Sequence, residues 1–180
     1  FFIYKWSRDL FGENAAIFSL FLFVFCPNLN GHGILLTTDA YTALFTVSTC
    51  YYYWKFNKQS GWKYFLLFCL SLALAQLVKY TMLHLFILFT LISVLQLIKR
   101  KTLFLNWKIN LKRVGILSAI FLLVINTGYF FNNTGRSLSA TEIRSKAFAN
   151  LKSSVIGKIP IPIPGPYIEG LDLTMYMNEL

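Results

Sequence analysis

Two charged residues stand apart from a largely apolar sequence. Asp39 closes the polar stretch Pro27-Asn28-Leu29-Asn30-Gly31-His32-Gly33-Ile34-Leu35-Leu36-Thr37-Thr38-Asp39, and Lys79 stands alone between two apolar runs. A carboxylate in such a loop can take the proton of an attacking hydroxyl if it lies within hydrogen-bond reach. It can equally start a helix, because Thr-Thr-Asp ahead of an apolar run is good capping chemistry. A lone lysine near a membrane surface either snorkels to water or grips an anion, and for a phosphate it acts as a point charge. His32 shares the loop with Asp39 and either binds substrate or satisfies the loop. His84 lies just over one helical turn past Lys79 and suits a polar contact within a helix bundle. Two histidines without a clear third ligand do not define a metal site. A further stretch, Pro164-Gly165-Pro166-Tyr167-Ile168-Glu169-Gly170-Leu171-Asp172, is either a rigid surface loop or a segment that closes over an acceptor, with Tyr167 and Glu169 as its binding groups.

The elements that must carry these residues follow from composition. Of 180 residues, 56% are hydrophobic, 18% aromatic and only 13% charged, against about 25% charged in an ordinary soluble domain. That is too much apolar mass for one small soluble core, and it argues against a disordered tail or a disulfide scaffold. Cys26, Cys50 and Cys69 lie in apolar runs without a C-x-x-C spacing and read as buried thiols. The pattern is that of an all-α, polytopic transmembrane helix bundle. A bilayer core needs about 20 mainly apolar residues per helix, and five spans are expected near 10–27, 40–56, 62–78, 80–98 and 114–131. The weakest is the first, because Gly12-Glu13-Asn14 suit a membrane poorly. Spans three and four meet at Lys79, so a tight turn or a re-entrant break is required there.

Charge then orients the bundle. Seventeen Lys and Arg face seven Asp and Glu. The aromatics sit inside apolar runs rather than among the bases, so nucleic acid is not the expected partner. With alternating spans, Lys5, Arg8, Lys55, Lys58, Lys63, Lys99, Arg100, Lys101, Lys108, Lys112 and Arg113 share one face, which the positive-inside rule makes cytoplasmic. Residues 28–39, Lys79 and 132–180 then share the outer face. Segment 99–113 mixes bases with Leu103, Phe104, Leu105, Trp107, Ile109 and Leu111, and is either an interfacial stretch on anionic headgroups or a plain basic loop. The chain therefore divides into a transmembrane region, 1–131, and an extracytoplasmic loop segment, 132–180. In the latter a short helix is expected around 139–151, and Pro160–Pro166 should be extended and polyproline-like. P-loop, G-x-G-x-x-G, H-E-x-x-H and G-x-S-x-G patterns are absent from the sequence.

Three pieces in this order carry a resemblance: Arg8-Asp9-Leu10-Phe11-Gly12 with its following span, the Pro27…Gly31-His32-Gly33…Thr37-Thr38-Asp39 loop, and Lys79-Tyr80-Thr81. Together they resemble the polyprenyl-phosphate-sugar-dependent glycosyltransferases of the GT-C fold. The bacterial members similar to dolichyl-phosphate-mannose protein mannosyltransferases and to lipid A aminoarabinose transferases are nearest. The likeness covers residues 1–98 and resumes near 158–172, where the Pro-rich run ends in Tyr167-Ile168-Glu169-Gly170-Leu171. It implies a multi-pass enzyme of a bacterial inner or plasma membrane. Such an enzyme transfers a hexosyl or pentosyl group from an undecaprenyl or dolichyl phosphate to an acceptor outside the cytoplasm, with inversion. The acceptor class, whether protein, lipid or glycan, is left open.

By that resemblance Asp39 matches the family's second outer acid, Lys79 a basic position near the lipid phosphate, and His32 a recurrent histidine without an assigned role. The resemblance makes the family's first outer acid the general base; it would precede Phe1, and the sequence reads as an N-terminally truncated fragment. No cofactor is implied with certainty, although a divalent metal, like a cation, would ease the departure of a phosphate. The competing reading is a polytopic transporter or a flippase subunit for lipid-linked sugars. Such a protein more often shows paired mid-span charges or broken helices at matching positions of two halves, and neither is visible.

Overall fold

The computed structural model describes residues 1–35, 37–99 and 107–179, and these are helical apart from turns and one isolated bridge. The chain divides into two compact units, residues 1–86 and 87–180. In the first unit α1 (Phe2–Phe11) packs along α2 (Glu13–Val24), with the Ser7 hydroxyl 3.0 Å from that of Ser19. Gly12 makes this reversal at φ 90°, a backbone that an L side chain rarely adopts. The expected first span, 10–27, is therefore not one helix. Helix resumes only at Glu13, and α2 is bent by 53° from α3 (Pro27–Ile34). The ring of Pro27 would clash with the preceding helical turn, so it opens a new helix instead of extending the old one. The expected polar loop 28–39 thus contains helix as far as Ile34, and Leu36 lies outside the described residues.

Next, α4 (Asp39–Gln59) and α5 (Trp62–Val78) form an antiparallel hairpin. Ser60 turns the chain at φ 50°, and its amide returns to the Phe56 carbonyl at 2.8 Å. The sequence of α5 is rich in Leu and Ala, which favour helix. Its Phe65, Phe68, Cys69, Leu72 and Gln76 recur at helical spacing and are all buried. Phe56 meets Phe65 and Tyr53 meets Phe68, each at 5.2 Å between ring centres, so the two arms are in register along their length. At Lys79 the backbone becomes extended, and a short turn, Tyr80–Met82, leads into α6 (Leu83–Lys99). This is the tight break that the abutting apolar runs demand.

By length and composition, Tyr80–Lys99 and Trp107–Gly128 can cross a membrane, and the bent α2–α3 pair would make a third span. That is two to three spans where five were expected. The α5 helix is apolar but only 17 residues long. The α4 helix carries Asp39, Lys55, Lys58 and many hydroxyl groups, which dilute its hydropathy. In the second unit α7 (Trp107–Gly128) begins ahead of the expected 114 and takes Lys108, Lys112 and Arg113 into its first turns. The rest of the basic stretch, with Arg100, Lys101, Leu103, Phe104 and Leu105, falls outside the described residues.

Past Gly128 the chain makes a strained turn. Phe130 (φ 52°), Phe131 (φ 55°) and Asn133 (φ 53°) all adopt the left-handed region, at an expense of roughly 1–3 kcal/mol for each bulky residue. Hydrogen bonds hold the turn in place. The Phe131 amide donates to the Asn126 carbonyl (2.8 Å), the Gly135 amide to Ile161 (2.9 Å) and the Gly165 amide to Asn132 (3.1 Å). Asn126, 5% exposed, donates its side-chain amide to the Pro162 carbonyl at 3.0 Å and accepts from the Thr134 hydroxyl at 2.5 Å.

The segment expected as a loop, 132–180, is largely folded among its described residues. It contains the turn Leu138–Ala140, then α8 (Lys146–Ser153), the turn Val155–Lys158 and α9 (Gly165–Met177). Ser145 caps α8 by accepting from the Phe148 amide at 3.3 Å. Pro160 pairs with Ser137 in the one bridge among the described residues; the chain bends at Pro162 and Ile163, and Pro164 ends the expected extended run, which is therefore not straight. Gly165 and Pro166 begin α9 instead of continuing it, because proline's fixed φ suits a first helical turn.

Candidate functional site

The hairpin brings together the two residues that the sequence singles out. Asp39 is the first residue of α4 and Lys79 the residue that follows α5, and antiparallel arms place these ends side by side. The Lys79 Nζ lies 3.2 Å from the Asp39 Oδ1. Thr38 occupies the cap position and makes no side-chain cap bond. Asp39 therefore supports the helix only by its charge in the first turn, and its carboxylate turns to the lysine. The side chains are 43% and 50% exposed, and an ion pair in that setting contributes only about 0–1 kcal/mol. The fold does not depend on it, so both groups are free to meet a ligand.

Among the described residues no hydrogen bond joins His32 or His84 to this pair. His32 lies in the last turn of α3 and is exposed, and no hydrogen bond of its side chain occurs among the described residues. His84 Nδ1 contacts the Thr81 carbonyl, which ties the turn after Lys79. Tyr167 and Glu169 belong to the second unit. Tyr167 is 3% exposed and packs edge-on against Phe121 (6.4 Å) and Tyr129 (6.0 Å). Burial, then the neighbouring Tyr129, pushes its phenol up to about 12. This is core packing. Glu169 is exposed on α9. Among the described residues no group of three His, Cys, Asp or Glu could hold a metal. Asp39 already has a cation beside it, so these residues supply no metal-binding set.

The surroundings of three polar residues escape sequence reading. Asp9 on α1 pairs with Lys55 on α4 at 2.9 Å and accepts from the Tyr51 hydroxyl at 3.1 Å. The Lys55 ammonium holds the Asp9 carboxyl below its ordinary range. The available signal is an acid three residues before a helix-breaking glycine, too common to select. Gln76 is 1% exposed, one turn before Lys79, and its amide finds no partner among the described residues. Asp172, 2% exposed, accepts from the Arg144 amide (2.7 Å), the Ser145 amide (3.0 Å) and the Ser145 hydroxyl (2.6 Å). Burial alone would raise its carboxyl, but these three donors outweigh burial and hold it below the usual value.

The described residues are helical apart from turns and one bridge, with apolar helices long enough to span a bilayer, as in an integral membrane protein, and they hold an exposed ion pair at a helix end. The sequence matches the family described as dolichyl-phosphate-mannose-protein mannosyltransferase over residues 1–130. The chain belongs to this family of membrane glycosyltransferases of the GT-C type. Among curated proteins and among solved structures, nothing matches it.

Proposed function

We propose that this chain carries part of the site of a membrane glycosyltransferase that moves a sugar from an undecaprenyl or dolichyl phosphate to an acceptor at the extracytoplasmic face, with inversion. The observation that carries the reading is the exposed Asp39–Lys79 pair at the open end of the α4–α5 hairpin. Lys55, Lys58 and Lys63 crowd the closed end, and Asp9 ties Arg8 to that same end. The positive-inside rule therefore favours the open end as the outer one.

The chemistry follows from the pair. A lipid-borne donor enters sideways from the bilayer, and its phosphate competes with Asp39 for the Lys79 ammonium. The acceptor hydroxyl attacks the anomeric carbon from the face opposite the phosphate. The carbon–oxygen bond to phosphate breaks, and its electron pair leaves with the phosphate, whose charge Lys79 offsets. The hydroxyl proton passes to a carboxylate, and Asp39 is the acid this chain offers.

The test uses the full-length protein in membranes and a panel of labelled polyprenyl-phosphate sugars. Wild type should consume one donor. Asp39→Asn should lose most of that rate while inserting normally, and Lys79→Met should weaken donor use. Equal consumption by wild type and both variants would remove the pair from the site.

A further inference from the structure

We infer that Phe130 and Phe131 form a stiff anchor in the membrane interface that sets the depth of segment 160–169. Both residues follow closely on Gly128, the last residue of a helix long and apolar enough to cross a membrane. They therefore lie where hydrocarbon gives way to headgroups. Phe130 is 90% exposed and Phe131 59%, and both hold the left-handed backbone that glycine or asparagine adopts more readily. In water such residues are disfavoured twice, by backbone and by bare ring. At the membrane boundary an apolar ring can bury itself among the acyl chains, so lipid cover removes the second penalty and gives phenylalanine a reason to be there. Continuity with the span selects lipid over a protein partner as what covers the rings.

Stiffness comes from the straps already described. Asn126 and Thr134 join across the turn, and Asn126, Asn132 and Gly135 bond to Pro162, Gly165 and Ile161. A side chain added at Gly165 would sit 3.0 Å from the Asn133 Cβ, so turn and segment pack without slack. Gly165 opens α9, and Tyr167 then packs on Tyr129 and Phe121. The depth of the two rings is thereby passed to residues 160–169. None of this depends on which donor or acceptor the enzyme uses.

The test places single cysteines by Phe130→Cys, Phe131→Cys and Ser139→Cys in full-length protein whose Cys26, Cys50 and Cys69 are replaced by alanine. Each is nitroxide-labelled in liposomes of phosphatidylethanolamine and phosphatidylglycerol. At 130 and 131, oxygen should relax the label more than a water-soluble nickel chelate, with the reverse at exposed position 139. Chelate dominance at 130 and 131 overturns the anchor. A label reached by neither reagent overturns it too, since protein then covers the site. If the cysteine variants fold poorly, Phe130→Trp keeps an aromatic ring. Its added emission should be quenched by brominated lipid, and failure to quench counts equally against the anchor.

Discussion

Helix α4 carries an ion pair near each end, and the two are opposites. Asp39 and Lys55 are separated by about 24 Å along the axis. At the closed end Lys55 and Asp9 are 12% and 20% exposed, Tyr51 adds a hydrogen bond, and the rings of Tyr51, Trp54 and Tyr64 surround the ammonium at 5.9, 5.5 and 6.0 Å. Every partner there is engaged. At the open end Lys79 and Asp39 hold one contact each and remain about half exposed. The first pair joins α1 to α4 and is part of the architecture. The second joins nothing that the hairpin has not already joined. The proposed transfer needs groups that can let go of each other, and the half-exposed pair at the open end can do so at little cost.

The sharpest way to break this contrast is to remove one charge at each end. Asp39→Asn should lower sugar transfer by roughly 100- to 10,000-fold, the usual loss on removing a proton-transfer group, with thermal stability in detergent unchanged. Lys55→Met should do the reverse. It leaves the Asp9 carboxylate partly buried without its cation, and stability should fall by about 2–3 kcal/mol while the remaining folded protein keeps its rate per molecule. If Lys55→Met silences folded enzyme, the closed end is not merely architectural.

Asp172 extends the comparison to a carboxylate engaged by neutral donors. Its folded pKa is lowered, so the stability it contributes is present at neutral pH and fades as pH falls below about 4. Hydrogen exchange of the α8 and α9 amides should accelerate across that range. Asp172→Asn should weaken the clasp at all pH by about 1–3 kcal/mol and flatten the profile. An unchanged profile would place the pH response elsewhere. The smallest effect on stability is expected from exchanging the open-end charges, Asp39→Lys with Lys79→Asp. Stability should move by no more than about 1 kcal/mol, yet transfer should be lost, because the phosphate would then meet a carboxylate. Recovered transfer would show that only the pairing matters.

The open end was legible in the sequence because membrane-adjacent charges are few, and Asp39 and Lys79 have no charged competitors nearby. The break at Lys79 was legible from two apolar runs with no room for a loop. The committed groups were not. Asp9 and Asp172 find partners 46 and 27 residues away, and nothing local marks such pairing. The helical character of 165–177 was obscured by prolines that read equally well as extended chain or as a first turn. The Gly12 reversal was only hinted at by poor membrane residues, since one glycine fits many backbones.

The hairpin also behaves as a ruler. Asp39 and Lys79 meet because the two arms, measured from the turn at Ser60 and Gly61, come out to matching ends. Each residue added to one arm would advance its end by about 1.5 Å and rotate it by roughly 100°. A single-residue insertion within either arm, from Tyr41 to Lys58 or from Tyr64 to Gln76, would therefore separate the two charges without altering either of them. Over those stretches, chain length would be under tighter selection than residue identity.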